Sequence, residues 1–233
     1  MAYYDNYSKR SLTSLRDKLQ KRFYRALFNK FKISPKKNAD VLEIGPGEGG
    51  FAKFLNTYEI NYSGVEQSAS LTEHLIKEGY KVTEASCPPI PYSDNTFDLI
   101  FCFHVIEHLD SPFTVHAFVE ECQRILKPDG KLVMIAPDYM RMGKYFWDCD
   151  YTHITPITER RLKQILLDSN LKIEKLGPIT EPFVGSVRYL INFLLFFYPY
   201  SVLEYLFPFE PLRTVIYKIR STFSQSVLAI AKK

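Results

Sequence analysis

A glycine-rich run early in the chain has the residue types that bind a nucleoside. Residues 40–50 read DVLEIGPGEGG, in which a β-like segment turns through glycines into a helix. Glycine lacks the Cβ that would keep a ligand away from the backbone, and the helix behind it offers N–H groups. Glu66 follows Gly45 at the distance and strand end where a carboxylate can accept hydrogen bonds from ribose hydroxyls. The run therefore predicts a nucleoside-binding first half.

The residues between the glycines bear on which nucleoside cofactor is bound. Gly45, Gly47 and Gly50 satisfy the G-x-G-x-x-G pattern of dinucleotide sites, so the glycines alone leave NAD(H) open. Pro46 removes one N–H from the loop, which weakens a cradle for pyrophosphate. Glu43 puts a carboxylate before the loop, where it would repel pyrophosphate but attract the ammonium group of a methionine moiety. These features favour S-adenosylmethionine, with a nicotinamide-dependent oxidoreductase as the alternative.

Histidines further along the chain could take up a proton. His104 and His108 lie in HVIEHL, and His153 ends the run DYTH that starts at Asp150. Methyl transfer from a sulfonium depends mainly on positioning, and a hydroxyl acceptor also needs a base. Imidazole is the side chain that takes up a proton near neutral pH. We interpret His153, His108 and Asp150 as the catalytic set, and the alternative is that His153 only forms hydrogen bonds within its loop.

Short β-like runs that alternate with helical stretches must position these residues. The predicted strands are 40–45, 62–66, 80–84, 97–103, 131–136, 171–176 and 226–231, with a helix at 157–169. This order predicts a Rossmann-like α/β fold in which crossover helices join the strands of a mostly parallel sheet. Apolar residues at steps of three and four from Leu12 to Phe31 predict an amphipathic N-terminal helix that ends before Pro35.

Two segments outside this pattern suggest further contacts. Residues 1–37 hold eleven basic and two acidic side chains and form a predicted basic helical arm, followed by one domain at 38–233. Within that domain residues 178–224 form a predicted apolar helical insert, in which 189–203 carry no charged side chain. That run is too short to span a bilayer, which needs about 20 residues. The insert is predicted to cap the cleft or to rest on a membrane surface beside the basic arm.

Composition limits the class of protein and its location. With 233 residues and 46% apolar content, the chain can bury one full core. The net charge of +4 comes from residues 1–37, because the remainder is acidic, so nucleic-acid binding is not predicted. Four scattered cysteines and an N-terminus without the order of a signal peptide predict a cytoplasmic protein, with membrane association left open.

Four motifs resemble those of class I S-adenosylmethionine-dependent methyltransferases. They are VLEIGPGEGG, GVEQS, IPYSDNTFDLIFCFHVIEHL and ECQRILKPDGKLVMIAPD, and the resemblance covers residues 38–177 and the final strand. It implies a seven-stranded sheet with a reversed last strand. It also implies contacts of the cofactor with Glu43, Gly45 and Gly47 at the methionine moiety, Glu66 at the ribose, Gln67 and Ser86 at the adenine, and His104 near the methionine end.

Two looser resemblances bear on the acceptor. The segment that begins DYTHITPITERR resembles a region of methyltransferases from bacterial cell-surface saccharide pathways. Glu107-His108 resembles a pair in quinone-biosynthesis O-methyltransferases, some of which use a divalent cation; we expect no metal, because a site needs a further oxygen ligand.

The expected reaction is O-methylation of a small or lipid-linked hydroxyl compound. A non-catalytic cofactor-binding relative is an alternative. A DNA amino-methyltransferase is disfavoured because FCFHVIEH stands where those enzymes carry D/N-P-P-Y/F.

Overall fold

The computed structural model describes residues 14–181, 209 and 225–233, which form strands that alternate with helices. The helices are α1 (Ser14–Phe31), α2 (Gly50–Leu55), α3 (Ala69–Lys77), α4 (Pro112–Ile125), α5 (Tyr139–Met142), α6 (Tyr145–Cys149) and α7 (Glu159–Asp168). The strands are β1 (Asp40–Ile44), β2 (Asn61–Glu66), β3 (Val82–Glu84), β4 (Phe97–Phe103), β5 (Leu126–Pro137), β6 (Lys172–Thr180) and β7 (Gln225–Lys232). A 3-10 turn, Ile106–His108, follows β4.

The strands of the described part form a single mixed sheet in the order β3-β2-β1-β4-β5-β7-β6. β1 pairs in parallel with β2 and β4, whereas β7 is antiparallel to both β5 and β6. The Rossmann-like fold with a reversed last strand is therefore confirmed. The strand order reverses between β1 and β4, and open α/β sheets bind ligands beyond the carboxyl ends of the strands at such a point.

Helices cover both faces of the sheet. Successive residues of each strand point to opposite sides, and the apolar side chains on each side pack against helices. Ile100 belongs to the apolar cluster beneath α4 and α7, and its neighbour Phe101 belongs to the cluster beneath α1 and α2. The ring of Phe28 in α1 stacks on Phe101 at 5.5 Å and meets Phe54 of α2 edge-on at 5.2 Å. Full burial of such a side chain is worth about 1.5–3 kcal/mol. Core packing therefore holds α1 against the sheet.

The apolar side of α1 faces the sheet and is buried by this packing. Phe23, Leu27 and Phe28 are buried, whereas Lys21 and Arg22 are exposed. The predicted amphipathic helix is confirmed from residue 14 onward, and it presents its basic side outward. The division into a basic arm at 1–37 and a domain at 38–233 stays a prediction.

The last two strands are longer than the sequence predicts. β6 continues past residue 176 and pairs with β7 as far as Thr180 opposite Gln225. Pro178 is accommodated because β6 is the edge strand of the sheet, where a residue without N–H is tolerated. The predicted insert 178–224 therefore overlaps β6 at its start, and 182–208 and 210–224 lie outside the described residues. Among the described helices, none has both the length and the apolar character needed to cross a membrane.

Candidate active site

A cleft of about 680 Å³ lies at the carboxyl ends of β1, β2 and β4. Its volume falls within the range of about 300–1,000 Å³ that is typical of small-molecule sites. Every site residue predicted from the sequence lines it: Glu43, Gly45, Gly47, Glu66, Gln67, Ser86, His104, His108, Asp150 and His153. The fold thus brings the predicted cofactor and catalytic residues to one cleft, and their individual roles stay predictions.

The loop between β1 and α2 approaches the cleft with its backbone. Gly45 has a φ of +71°, and a Cβ added there would lie 2.5 Å from Cγ2 of Val105. Gly47 has a φ of +55° with no other atom within 4 Å of an added Cβ. Both conformations favour glycine. At Gly45 the position that a Cβ would occupy is also filled by the side chain of Val105. The loop is fixed by the N–H of Gly45, which donates to the carbonyl of Val65 at 2.9 Å.

The Glu66 carboxylate at the end of β2 is buried and oriented by two backbone groups. The N–H of Gly47 donates to Oε2 at 3.1 Å, and the N–H of Ser68 donates to Oε1 at 3.0 Å. Each carboxylate oxygen can accept a second hydrogen bond. The side chain thus ties the glycine loop to β2 and retains the capacity to accept from the two hydroxyls of a ribose.

Glu43 is a buried carboxyl group beneath the glycine loop. The hydroxyl of Tyr62 donates to its Oε2 at 2.8 Å. Burial raises the pKa of Glu43 to about 8 against the effect of this hydrogen bond, and the nearby Glu66 adds to the rise. A cationic ligand group beside Glu43 would favour the charged carboxylate again. The pair with Tyr62 was not predicted from the sequence, because it forms across the β1–β2 pairing.

Gln67 and Ser86 stand on the rim of the same half of the cleft, and both are exposed. The backbone around them is held by the N–H of Ala85, which donates to the carbonyl of Glu66 at 3.0 Å. The arrangement leaves both side chains accessible to a purine above β2 and β3.

His104, just after β4, lies between two carboxylates. Its Nε2 is 2.8 Å from Oε1 of Glu181, and its Nδ1 is 3.4 Å from Oε1 of Glu107. Burial lowers the pKa of His104, but Glu181 and Glu107 outweigh it and raise the pKa well above the ordinary value. Both carboxylates therefore favour the protonated form of the imidazole. Its backbone φ of +57°, unusual for a residue with Cβ, sets this direction of the side chain.

Two further histidines lie next to each other in the wall of the cleft, with ring centroids 5.0 Å apart. His108 comes from the 3-10 turn after β4, and His153 comes from the loop after α6. The loop is joined to the turn by the carbonyl of Glu107, which accepts from the N–H groups of Ile154 and Thr155 at 2.8 and 3.0 Å. These two hydrogen bonds bring His153 to His108 although the sequence separates them widely.

Asp150 contacts neither histidine by a hydrogen bond that the structure describes; it holds the residue that does. Its Oδ1 accepts from the N–H and the hydroxyl of Thr152 at 2.9 and 2.6 Å. Nδ1 of His108 lies 2.9 Å from the Thr152 hydroxyl oxygen and 3.1 Å from its carbonyl oxygen. Asp150 therefore positions His108 through Thr152.

The Glu107 side chain was not among the predicted site residues, yet it lies at the centre of this region and is fully buried. Burial alone would raise the pKa of Glu107, but His104, and to a smaller degree His108, hold it below the ordinary value. Ligand atoms of Glu107, His108 and His153 lie within 4.8 Å of one another, so these residues could hold a metal ion.

The N-terminal helix also contributes to the cleft, which the prediction of a separate arm did not anticipate. Gln20 and Tyr24 of α1 line it beside the end of the glycine loop, where Tyr24 meets the ring of Phe51 at 4.8 Å. The only sequence signal for this position was the apolar periodicity of α1, which indicates a packed helix but not its location.

A family model described as a methyltransferase domain matches residues 15–176. The match covers the glycine loop, both carboxylates of the cofactor half and the three histidines. The chain belongs to this family. Membership supports a methyltransferase whose cofactor is S-adenosylmethionine, and it gives no support to the nicotinamide alternative.

Relatives of this methyltransferase differ in the acceptors that their names state. A glycine/sarcosine/dimethylglycine N-methyltransferase of Actinopolyspora halophila is 34% identical over 46% of the chain and 20% of that protein. A phosphoethanolamine N-methyltransferase of Triticum aestivum is 29% identical over 47% of the chain and 22% of that protein. The matches span less than half the length of the curated relatives.

A solved structure shows the same fold. A SAM-dependent methyltransferase from Archaeoglobus fulgidus superimposes with a TM-score of 0.60 over 91% of the chain and 94% of that chain, at 18% identity. At this identity the similarity extends to the fold alone. The methyltransferase fold and family are thus established.

Proposed function

We propose that the protein transfers the methyl group of S-adenosylmethionine to a hydroxyl oxygen of a small or lipid-linked acceptor. The observation that carries this proposal is the histidine pair on the cleft wall, His108 and His153, across from the predicted cofactor half. A hydroxyl is a weak nucleophile until its proton is removed, and imidazole is suited to that task.

The hydrogen bonds of His153 leave one nitrogen suited to act as a base. Its Nδ1 lies 2.7 Å from the carbonyl oxygen of Phe146, which can only accept, so Nδ1 carries the hydrogen. Nε2 then holds the lone pair. In the proposed reaction Nε2 takes the hydroxyl proton, the oxygen forms a bond to the methyl carbon, and the carbon–sulfur bond breaks with its electron pair on sulfur. The products are a methyl ether and S-adenosylhomocysteine.

Apolar side chains around the cleft support the lipid-linked option. Met140, Trp147 and Ile154 lie within two positions of residues that line the cleft, and they are 77%, 45% and 46% exposed. Exposed apolar groups beside a site indicate contact with an apolar ligand or surface. We propose peripheral membrane contact at this rim, assisted by the outward basic side of α1. Sedimentation with anionic vesicles tests it, and Trp147→Ser should reduce the bound fraction.

The first experiment on the reaction is a binding titration with S-adenosylmethionine, S-adenosylhomocysteine and NADH. We expect binding of the first two and none of the third. An acceptor panel then compares hydroquinones, free saccharides and lipid-linked saccharides with glycine, sarcosine and phosphoethanolamine. Mass spectrometry identifies the methylated atom. Methylation confined to nitrogen would overturn the proposed acceptor class, and cofactor binding without turnover on any acceptor would favour a non-catalytic role.

Two variants separate the halves of the site. Glu66→Gln should weaken cofactor binding at least tenfold, because one carboxylate oxygen becomes an NH₂ group that can no longer accept from a ribose hydroxyl or backbone N–H. His153→Ala should leave cofactor binding unchanged and lower turnover by a factor of about 100 or more. Unchanged turnover would remove His153 from the proposed mechanism.

A further inference from the structure

A side-chain cluster on the acceptor side of the cleft has the composition of a metal site. It consists of Glu107, His108 and His153, and one ligand atom of each lies within 4.8 Å of the other two. The geometry points to a binding site for a divalent first-row transition ion such as Zn²⁺ at this cluster. This inference reverses the expectation of no metal, which rested on the need for a further oxygen ligand, because the third ligand is a nitrogen of His153.

Both histidines are oriented for metal binding by their other ring nitrogen. Nδ1 of His153 donates to the carbonyl oxygen of Phe146. Nδ1 of His108 donates to the Thr152 hydroxyl oxygen, whose own hydrogen is directed to Asp150. In both rings the lone pair is therefore on Nε2. Metal-binding histidines almost always show this pattern, because the second hydrogen bond fixes the tautomer and the ring direction.

The carboxylate of Glu107 gives a second, independent indication. Its side chain is fully buried, and neither oxygen has a hydrogen-bond partner within the described residues. His104 Nδ1 lies 3.4 Å from Oε1, and His108 Nε2 lies 4.0 Å from the same atom. A buried carboxylate without hydrogen bonds is costly unless a cation compensates it. The positive charge that Glu107 favours on His104 compensates part of this cost at Oε1, and an ion between Glu107 and the two Nε2 atoms would compensate the rest.

The ligand types select the class of ion. Two imidazoles and one carboxylate suit Zn²⁺ and neighbouring transition ions, whereas Mg²⁺ and Ca²⁺ prefer oxygen ligands. Atoms that share one Zn²⁺ lie about 3–3.5 Å apart, so the ligand atoms must approach by about 1–1.5 Å. Cys149 is placed on the Nδ1 side of His153, at 3.7 Å, and is not a ligand in this arrangement. All three ligands line the cleft, which leaves an open coordination position toward it.

The ion would replace the role of base that the proposed reaction gives to His153. A hydroxyl that coordinates at the open position releases its proton to solvent more readily, and His153 then acts as a ligand instead of the base. Only this catalytic role rests on the proposed function. Binding of the ion does not depend on any acceptor or on methyl transfer.

The test is a metal titration of the purified full chain after chelator treatment, without cofactor or acceptor. We expect one equivalent of Zn²⁺ per chain and an increase in the melting temperature on addition of Zn²⁺, because the ion binds the folded state. Co²⁺ should give visible d–d bands without a sulfur charge-transfer band, since the ligands are nitrogen and oxygen. A sulfur charge-transfer band would place the ion at a cysteine and overturn the proposed site. This measurement uses the unmodified chain, so it does not depend on whether the variants fold.

Variants locate the ion. His108→Ala and His153→Ala should each weaken Zn²⁺ binding by more than the roughly 10- to 100-fold loss typical of second-shell changes. His116→Ala is the matched control, because His116 also lies beside a glutamate, with Nδ1 3.5 Å from Glu120, but belongs to no such cluster in the described part of the chain. Binding that is absent from the unmodified chain, or equal in all three variants, would overturn the proposal. Zn²⁺ binding without methyl transfer would instead count against the proposed function alone.

Discussion

The two halves of the cleft are built in different ways. The cofactor half joins Glu43, the glycine loop and Glu66 within one β1–α2–β2 unit, and much of its geometry comes from the backbone. The acceptor half joins His108 to a loop 44 positions later, and His104, predicted at the methionine end of the cofactor, meets Glu181 over 77 positions. A local sequence pattern can specify the first half, whereas only the assembled sheet creates the second.

This difference predicts different responses to substitution. In the cofactor half, the sign of φ and the space around a missing Cβ decide whether the loop forms at all. In the acceptor half, a series of side-chain hydrogen bonds sets the angle of an imidazole, so the loss of one bond should produce a partial effect.

The largest effect is expected for Gly45→Ala. The new Cβ would lie 2.5 Å from Cγ2 of Val105 at a φ of +71°. Steric overlap and positive-φ strain together should lower the free energy of unfolding by about 2–5 kcal/mol and abolish measurable S-adenosylmethionine binding. Urea unfolding and titration calorimetry measure the two quantities.

Gly47→Ala is the matched control within the same loop. Its φ is +55°, but no atom lies within 4 Å of the added Cβ, so only the strain of about 1–2 kcal/mol remains. Equal losses of stability in the two variants would contradict the role of the Val105 contact.

A smaller effect is expected for Glu43→Gln, and it should depend on pH. The pKa of Glu43 is about 8 in the folded protein and near 4.5 when unfolded. The unfolded chain therefore releases its proton first, and this group makes the free energy of unfolding fall as pH rises from about 5 to 8. Glutamine removes that dependence, so without cofactor the variant should be more stable than the original chain at pH 8, by the order of a few kcal/mol, and similar near pH 5.

Tyr62→Phe tests the same pKa with the opposite change, because it should extend the pH dependence of stability that Glu43→Gln removes. It removes the hydrogen bond that lowers the pKa of Glu43, so the decline of stability with pH should extend to higher pH than in the original chain. Parallel pH profiles for Glu43→Gln and the original chain, measured by urea unfolding, would show that Glu43 does not retain its proton.

Much of the fold was predictable because each element carries its own signal. Apolar strands bounded by glycine, proline and polar turns marked all seven strands, and the errors lie at their ends. β6 was predicted to end at residue 176, just before Gly177-Pro178, a pair that is typical of strand ends. An edge position removes that restriction, and a sequence read without its topology does not show which strand is at the edge.

The contacts within the candidate site were predictable only where they are local. Glu43, Gly45 and Glu66 follow from spacing, but Glu181 was missed because its contact with His104 requires β6 to stand beside β7. Glu107 was noticed as part of a Glu-His pair and assigned no place in the site. Its position directly after β4, at the sheet edge where the strands end, was the signal that could have placed it.

The smallest effect is expected in the acceptor half, at Asp150. Asp150→Ala removes the oxygen that holds Thr152, which in turn fixes the ring of His108. Because Asp150 acts through Thr152, turnover should fall about tenfold with unchanged cofactor affinity, the magnitude typical of lost second-shell support. Asp150→Asn keeps an acceptor oxygen and should restore most of the activity. The ¹⁵N resonance of the His108 imidazole should change in the alanine variant and return in the asparagine variant. A loss of turnover with an unchanged imidazole resonance would mean that Asp150 acts by another route, and the acceptor half would then not be organised through Thr152.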